Sequence, residues 1–159
     1  MNKILTKRLF TNIAIITVIA MFFIADRYLK GLALRTGINN GKSLFNQYFL
    51  FNFTENHNIA FSLPLSGPIL NIIIISLIIA IIFIIGQLII KNRALTQDSL
   101  ILTFILFGAI SNIVDRLQYG FVIDYLELKY FTVFNLADVM ISLGVLTLIF
   151  KLTKSKKIC

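Results

Sequence analysis

Long apolar runs, separated by short polar segments, dominate the chain. Four of them approach the roughly 20 residues that a helix needs to cross a hydrocarbon core of about 30 Å; they occupy residues 9–25, 69–90, 100–114 and 131–150. With the polar residues at their ends, they predict membrane-spanning helices at about residues 9–28, 69–90, 100–118 and 132–150. The pattern therefore predicts an all-α membrane protein with a single polytopic domain over residues 1–159, whose longer extracytoplasmic segments are at about 29–68 and 119–131.

The composition agrees with this interpretation. Hydrophobic residues make up 58% of the chain and charged residues 14%, against roughly 45–50% and about 25% in soluble globular proteins. The net charge of +8 does not indicate nucleic-acid binding, because the basic residues stand as short flanks beside the apolar runs. Such flanks are typical of membrane topology signals.

The first run admits two interpretations. Lys3, Lys7 and Arg8 precede it, so it could be the apolar region of a cleaved signal peptide. However, the run is longer than an ordinary signal-peptide core, and no convincing small-x-small cleavage site follows it. We therefore expect an uncleaved first span.

The basic residues also predict the orientation. With both termini in the cytoplasm, nine Lys and Arg residues lie inside, close to the span ends, and six lie outside, which agrees with the positive-inside rule. The inner residues are Lys3, Lys7, Arg8, Lys91, Arg93, Lys151, Lys154, Lys156 and Lys157, and the outer ones are Arg27, Lys30, Arg35, Lys42, Arg116 and Lys129. We expect both termini to be cytoplasmic.

The acidic residues are distributed unevenly in that orientation. Of the seven, only Asp98 lies on the cytoplasmic side. The other six fall at the outer helix ends or in the outer segments: Asp26, Glu55, Asp115, Asp124, Glu127 and Asp138. This distribution suggests a functional site on the outer side.

Three of these carboxylates are forced into the membrane by the lengths of the spans. The first, third and fourth apolar runs reach full span length only by including Asp26, Asp115 and Asp138. An unpaired charge there costs about 2.5–3.5 kcal/mol on insertion scales, so such residues face the bundle interior and mark function by default.

Structural interpretations compete with the functional one. Asp26 and Lys30 have the i, i+4 spacing of a helical ion pair, and we favour that role for Asp26. Asp115 could be neutralised by Arg116, and both interpretations stay open for it. Asn135 and Asp138 fit an Asn-x-x-Asp helix cap, yet we favour function for Asp138.

Other catalytic chemistries find little support. One histidine, His57, is too few for a usual zinc site, the single Cys159 is the last residue, and no Gly-rich phosphate loop is present. Ser-His and Ser-Lys arrangements lack any local motif. Asp124 follows an apolar stretch, and its carboxylate has no evident structural role. This favours a pair of carboxylates that share one proton. Because that chemistry needs neither metal nor nucleotide, we expect no cofactor.

Several motifs together resemble the bacterial lipoprotein signal peptidases, or signal peptidase II, a family of aspartic peptidases. The motifs are Asp26-x-x-x-Lys30, Asn56-His57-Asn58-Ile59-Ala60-Phe61-Ser62, Asn112-Ile113-Val114-Asp115-Arg116, Gly120-Phe121-Val122-Ile123-Asp124-Tyr125 and Phe134-Asn135-Leu136-Ala137-Asp138. They occur in the family's order across most of the chain. Two positions depart from its pattern: Asn58 and Ser111 stand where the family usually has Gly.

The resemblance implies a site and a substrate. Asp124 and Asp138 would be the catalytic pair. Asn56, Asn112, Arg116 and Asn135 would bind substrate, while Asp26, Lys30 and Asp115 would support the site. The substrate would be a prolipoprotein in the bacterial cytoplasmic (inner) membrane, cut on the amino side of a diacylglyceryl-modified cysteine.

It also implies a small extracytoplasmic β-sheet, for which residues 43–53 supply strand-forming residues. We expect the protein to act as a monomer among membrane lipids, with the active site at the outer leaflet.

Two other functions remain open from the residues alone. Intramembrane carboxylates also mark ion pathways, so a proton-coupled transporter is the leading alternative, followed by a non-catalytic lipid-binding protein. The absence of a visible inverted repeat and the confinement of the carboxylates to one side argue against transport.

Overall fold

A computed structural model describes residues 3–36, 42–46, 48–58, 67–130 and 132–156. Within these residues the chain forms four helices and four strands. In chain order they are α1 (Lys3–Thr36), β1 (Lys42–Asn46), β2 (Phe49–Asn56), α2 (Pro68–Asn92), α3 (Gln97–Tyr119), β3 (Val122–Leu128), β4 (Thr132–Phe134) and α4 (Leu136–Lys156). The predicted fold class, four long helices with a small sheet, is confirmed.

Each of the four described helices is long and apolar enough to cross a membrane. The helices differ in their bounds from the predicted spans, and two of the differences concern the sheet. α1 continues to Thr36, eight residues beyond the predicted end of the first span, and its 34 residues extend about 51 Å. α4 begins only at Leu136, because Thr132–Phe134 is the strand β4.

α3 is the central helix, and α1, α2 and α4 pack around it. Edge-to-face aromatic pairs join α1 to α3, Phe22 with Phe104 at 5.8 Å and Phe23 with Phe107 at 5.4 Å between ring centroids. Such pairs contribute about 0.5–1.5 kcal/mol beyond area burial. α2 packs mainly against α3 and leaves most of its isoleucine side chains exposed, as expected of a helix that faces lipid.

Two glycines allow α4 to lie close against α3. A Cβ at Gly108 would stand 2.7 Å from the backbone oxygen of Ala137, and one at Gly144 would collide with the side chain of Ile105. Small residues permit such close approach between membrane helices. The contact at Gly108 brings the start of α4 against α3 one helical turn before Asn112.

The four strands form one antiparallel sheet in the order β1-β2-β3-β4. Its buried side chains Phe51, Ile123 and Tyr125 pack with Ala33 in the last part of α1. α1 therefore extends past the other helices because its last two turns support the sheet. Gly120, in the left-handed region at φ 85°, ends α3 and turns the chain directly into β3, because glycine adopts this conformation without steric cost.

This packing gives a prediction about the two glycines. Gly108→Ala and Gly144→Ala should each destabilise the protein by about 1–3 kcal/mol, because a methyl group has no room between α3 and α4. Gly86→Ala in α2 is the matched control, since a Cβ there meets nothing within 4 Å. Thermal unfolding in one detergent should show lower midpoints for the first two variants only. Equal midpoints for all three would contradict the close packing.

Candidate active site

Asp124 and Asp138 line one cavity at the end of the helical bundle that carries the sheet. Its volume is about 590 Å³, and its walls come from β2 and the residues after it, from β4, and from the first turns of α4. β3 supplies Asp124 and the first turn of α4 supplies Asp138. Two carboxylates distant in the sequence therefore face one space.

Asp124 is buried and is held by side-chain amides. It pairs with Thr54 of β2 in the sheet register and is 2% exposed. Asn56 Nδ2 donates to one carboxylate oxygen at 2.8 Å, and Asn135 Nδ2 donates to the other at 2.6 Å. Each oxygen is thus fixed by a neutral donor.

Asp138 is held in a similar way and also caps α4. Asn112 Nδ2 donates to its Oδ1 at 2.7 Å. The Asn135 side chain accepts from the Asp138 N–H at 2.9 Å, and the Asn135 N–H donates to Asp138 Oδ2 at 3.3 Å. These reciprocal bonds form the Asn-x-x-Asp helix cap. The cap and the position in the cavity, treated as competing interpretations from the sequence, are both present.

The three asparagines have fixed orientations. In each, the amide oxygen accepts from another group: Lys30 Nζ for Asn112, the Asn58 N–H for Asn56 and the Asp138 N–H for Asn135. The NH₂ group of each must then point at a carboxylate. Asn135 contacts both aspartates, so it ties the two carboxylates to each other.

The pKa of Asp124 is raised from 3.8 to about 7. Burial is the largest cause and the negative charge of Asp138 the next, while the hydrogen bonds from Asn56 and Asn135 oppose them. A carboxyl group that titrates near neutral pH can hold or release a proton during a reaction. The shift agrees with two carboxylates sharing one site.

Asp26, Lys30 and Asp115 form a fully buried ion-pair network beneath the cavity. Lys30 Nζ lies 3.2 Å from Asp26 Oδ2 and 2.7 Å from Asp115 Oδ2. Arg27 forms a further ion pair with Asp115. The predicted i, i+4 pair of Asp26 and Lys30 is therefore present. Asp115 pairs with Lys30 and Arg27, whereas the sequence had suggested Arg116 as its partner.

This network reaches both elements that carry the cavity carboxylates. Asp115 Oδ2 accepts from the Ile123 N–H at 3.3 Å, next to Asp124. Asp26 Oδ1 accepts from the Ala137 N–H at 3.1 Å, next to Asp138. The network thus holds the backbone on either side of the pair.

Arg116 is directed toward the segment after β2. Its guanidinium donates to the Asn58 backbone oxygen at 2.6 Å and to that of His57 at 3.4 Å. His57 itself is exposed, 3.4 Å from Glu55. Residues 59–62 of the predicted loop motif lie outside the described residues.

The sequence interpretation missed the roles of three residues, Ser111, Tyr125 and Arg27. Ser111 was noted only as a departure from the family pattern, yet its hydroxyl donates to Asp26 at 2.5 Å. The Tyr125 hydroxyl donates to Asp26 at 2.9 Å. A polar residue inside an otherwise apolar span was the available signal for Ser111. Nothing local distinguished Tyr125 from an ordinary strand residue.

The described part of the chain contains no group of three or more His, Cys, Asp or Glu residues that could hold a metal ion. The cavity instead presents Asp124 and Asp138, each held by amide donors, with the exposed carboxylate of Glu55 also in its wall. The pKa of Asp124 is raised to about 7. This arrangement can hold a water molecule and exchange a proton with it.

Comparisons with known proteins identify relatives of the chain. Residues 18–154 match the model of the family described as signal peptidase (SPase) II. Similar curated proteins include the lipoprotein signal peptidases of Dichelobacter nodosus (37% identical, covering 80% of this chain and 85% of the relative) and Clostridium tetani (32% identical, covering 87% and 92%).

The fold is also similar to solved structures. A bacterial membrane enzyme determined by the in meso method at 2.3 Å resolution superposes with a TM-score of 0.76 at 22% identity, over 90% of this chain and 89% of that one. A second, at 1.9 Å resolution, gives a TM-score of 0.70 at 23% identity, over 89% and 92%. At these identities the likeness concerns the fold.

The raised pKa of Asp124 predicts how stability depends on pH. Between about pH 4 and about pH 7 the folded protein keeps a proton on Asp124 that the unfolded chain has released. This contribution to stability is therefore complete below about pH 4 and is lost as the pH rises to about 7. Asp124→Asn cannot titrate, so it should gain thermal stability relative to the unmodified protein over that interval.

The measurement is the unfolding midpoint of both proteins in detergent across this pH range. Asp98→Asn is the control, because Asp98 pairs with Lys151 at the opposite end of α3 and is partly exposed. Parallel curves for the Asp124→Asn and unmodified proteins would contradict the shift.

Proposed function

The chain belongs to the signal peptidase II family, and we propose that Asp124 and Asp138 are the catalytic pair with which it removes signal peptides from prolipoproteins. The observation that carries the assignment is that both carboxylates line one cavity, each held by oriented amide donors. The transporter alternative receives no support from the family match.

The reaction follows from a pair that shares one proton. The ionised carboxylate takes a proton from a water molecule, whose oxygen attacks the carbonyl carbon of the scissile bond. The protonated carboxyl donates its proton to the carbonyl oxygen, which gives a tetrahedral intermediate. Proton transfer to the amide nitrogen then breaks the C–N bond. The products are the carboxyl end of the signal peptide and the new amino terminus of the lipoprotein.

The pKa of Asp124, about 7, supports this division of roles. Near neutral pH a pair of this kind has one acid and one base available at the same time. The proton belongs to the pair, since coupled groups titrate together.

We assign Asn56, Asn112, Asn135 and Arg116 to substrate binding as well. Asn56 lines the cavity, and Asn112 and Asn135 orient the carboxylates beside which the substrate would lie. Arg116 donates to the backbone oxygens of His57 and Asn58, which line the cavity, and so supports the wall against which the substrate would lie. Asp26, Lys30 and Asp115 support the site from below.

We further propose that the sheet end of the bundle is extracytoplasmic and that both termini are cytoplasmic. The excess of Lys and Arg at the opposite end supports this orientation. Tyr28, Tyr119 and Tyr130 are exposed around the sheet end, where tyrosines are enriched at membrane–water interfaces. The active site would then lie at the outer leaflet. One chain supplies all of the assigned residues, which supports a monomer.

Substitution of either aspartate tests the pair. Asp124→Asn and Asp138→Asn should each lower cleavage of a lipidated prolipoprotein by at least roughly a hundredfold, because each removes the acid–base group. Their helical content and membrane insertion should be unchanged. Asp98→Asn is the control and should cleave normally. Near-normal turnover by either cavity variant would show that the pair is assigned incorrectly.

A second prediction concerns the lipid on the substrate. A diacylglyceryl group partitions into the bilayer at about 0.8 kcal/mol per buried methylene and would hold the scissile bond at the depth of the cavity. The same prolipoprotein with an unmodified cysteine should be cut at least roughly a hundredfold more slowly, a difference of about 2.7 kcal/mol in transition-state stabilisation. The test compares kcat/KM for both substrates in one detergent. Equal values would contradict anchoring by lipid.

A further inference from the structure

Tyr125 belongs to the strand that carries Asp124, and its hydroxyl contacts the start of the helix that carries Asp138. It is the residue after Asp124 on β3, and it is fully buried. Its side chain lies on the sheet face that packs against α1, away from the cavity, in the core with Ala33, Phe51 and Ile123. It therefore does not touch the cavity where the reaction would occur.

The hydroxyl of Tyr125 nevertheless reaches the start of α4. It accepts a hydrogen bond from the Leu136 N–H at 3.1 Å and donates one to Asp26 Oδ1 at 2.9 Å. The same Asp26 oxygen accepts from the Ala137 N–H at 3.1 Å. The N–H groups of the first helical turn have no partners within the helix. Here two of them, immediately before Asp138, end on this hydroxyl and this carboxylate.

The hydroxyl is a stable donor and its position is fixed. Burial and the neighbouring charge of Asp26 raise the pKa of Tyr125, so it stays protonated. The ring of Phe51 packs in the same core, 5.7 Å away between centroids. A buried β3 residue is thus tied to the backbone at the start of α4.

We propose that the Tyr125 hydroxyl is a positioning group that sets the separation of the Asp124 and Asp138 carboxylates. The inference rests on the proposed catalytic pair. One aspartate is attached to the residue that carries the hydroxyl, and the other follows the two N–H groups that the hydroxyl and Asp26 hold. A misplacement of about 1 Å between reacting groups can cost on the order of a hundredfold in rate.

Tyr125→Phe keeps the ring and removes only the tie to α4. We expect kcat to fall roughly tenfold with little change in KM, because the variant alters the pair and not the cavity wall. The pH profile of kcat should also narrow. Two carboxylates that move apart repel each other less, so the two apparent pKa values of the pair approach one another.

Two matched variants separate positioning from stability. Phe51→Leu weakens the same buried core and leaves every hydrogen bond of the hydroxyl in place. Tyr130→Phe removes a hydroxyl from a side chain that is 88% exposed. All three are assayed with one lipidated prolipoprotein, well below their unfolding midpoints. The two controls should keep the normal pH profile and kcat within about twofold of normal.

Three outcomes would each overturn the positioning role. A Tyr125→Phe protein with normal kcat and an unchanged profile would show that the hydroxyl only satisfies a buried polar group. An equal loss of kcat in Phe51→Leu would show that the effect of Tyr125→Phe comes from a weakened core. A Tyr125→Phe protein that does not fold would also overturn the proposal, because it would show that the hydroxyl is required for folding. Asp124→Asn in the same assay tests the pair itself, so full activity there would instead reject the proposed function.

Discussion

The buried ion pairs of Lys30 determine how the rest of the site can be built. Its ammonium group is enclosed with the carboxylates of Asp26 and Asp115, and Arg27 provides the second positive charge. Two cations thus neutralise two anions. Removing one partner of a buried pair typically costs about 3–5 kcal/mol, because the remaining charge is left without compensation. In a bilayer no water can enter to replace it. The helices α1 and α3 must therefore meet where these charges meet.

From that point, hydrogen bonds extend to α3, β3 and α4. Lys30 fixes the amide of Asn112, whose NH₂ group then faces Asp138. Asp115 accepts from the backbone of β3, and Asp26 accepts from the backbone of α4. Backbone N–H groups that would otherwise be orphaned at the end of a helix or strand are thus satisfied by charged side chains of other elements. The cavity is preorganised because its walls are anchored to a charge network that cannot shift without breaking ion pairs.

The sequence contained part of this arrangement. Hydropathy locates the spans because helix length is tied to bilayer thickness, and the spacing of Asp26 and Lys30 indicates a pair because both residues lie on one helical face. The bonds from Ser111 and Tyr125 to Asp26 join residues 85 and 99 positions apart, and no local period contains such information. The length of α1 was also hidden, because its last turns are fixed by contact with the sheet and not by hydropathy. For Asp138 the helix cap and the cavity role had seemed alternatives. The structure combines them, since a carboxylate has enough lone pairs for both.

The four aspartates around the site fall into two groups, which differ in the donors that contact their carboxylates. Asp26 and Asp115 form ion pairs with the cations Lys30 and Arg27. Among the described residues, Asp124 and Asp138 receive hydrogen bonds only from amide groups, of Asn56, Asn135 and Asn112 or of the backbone. Amide donors orient a carboxylate and stabilise its charge only in part, so burial can still leave the pair with a proton near neutral pH. A lysine in hydrogen-bond contact with the pair would favour ionisation of both groups and remove the acid that the proposed reaction needs. Lys30 lies behind Asn112, two hydrogen bonds away from Asp138, and gives rigidity without that loss.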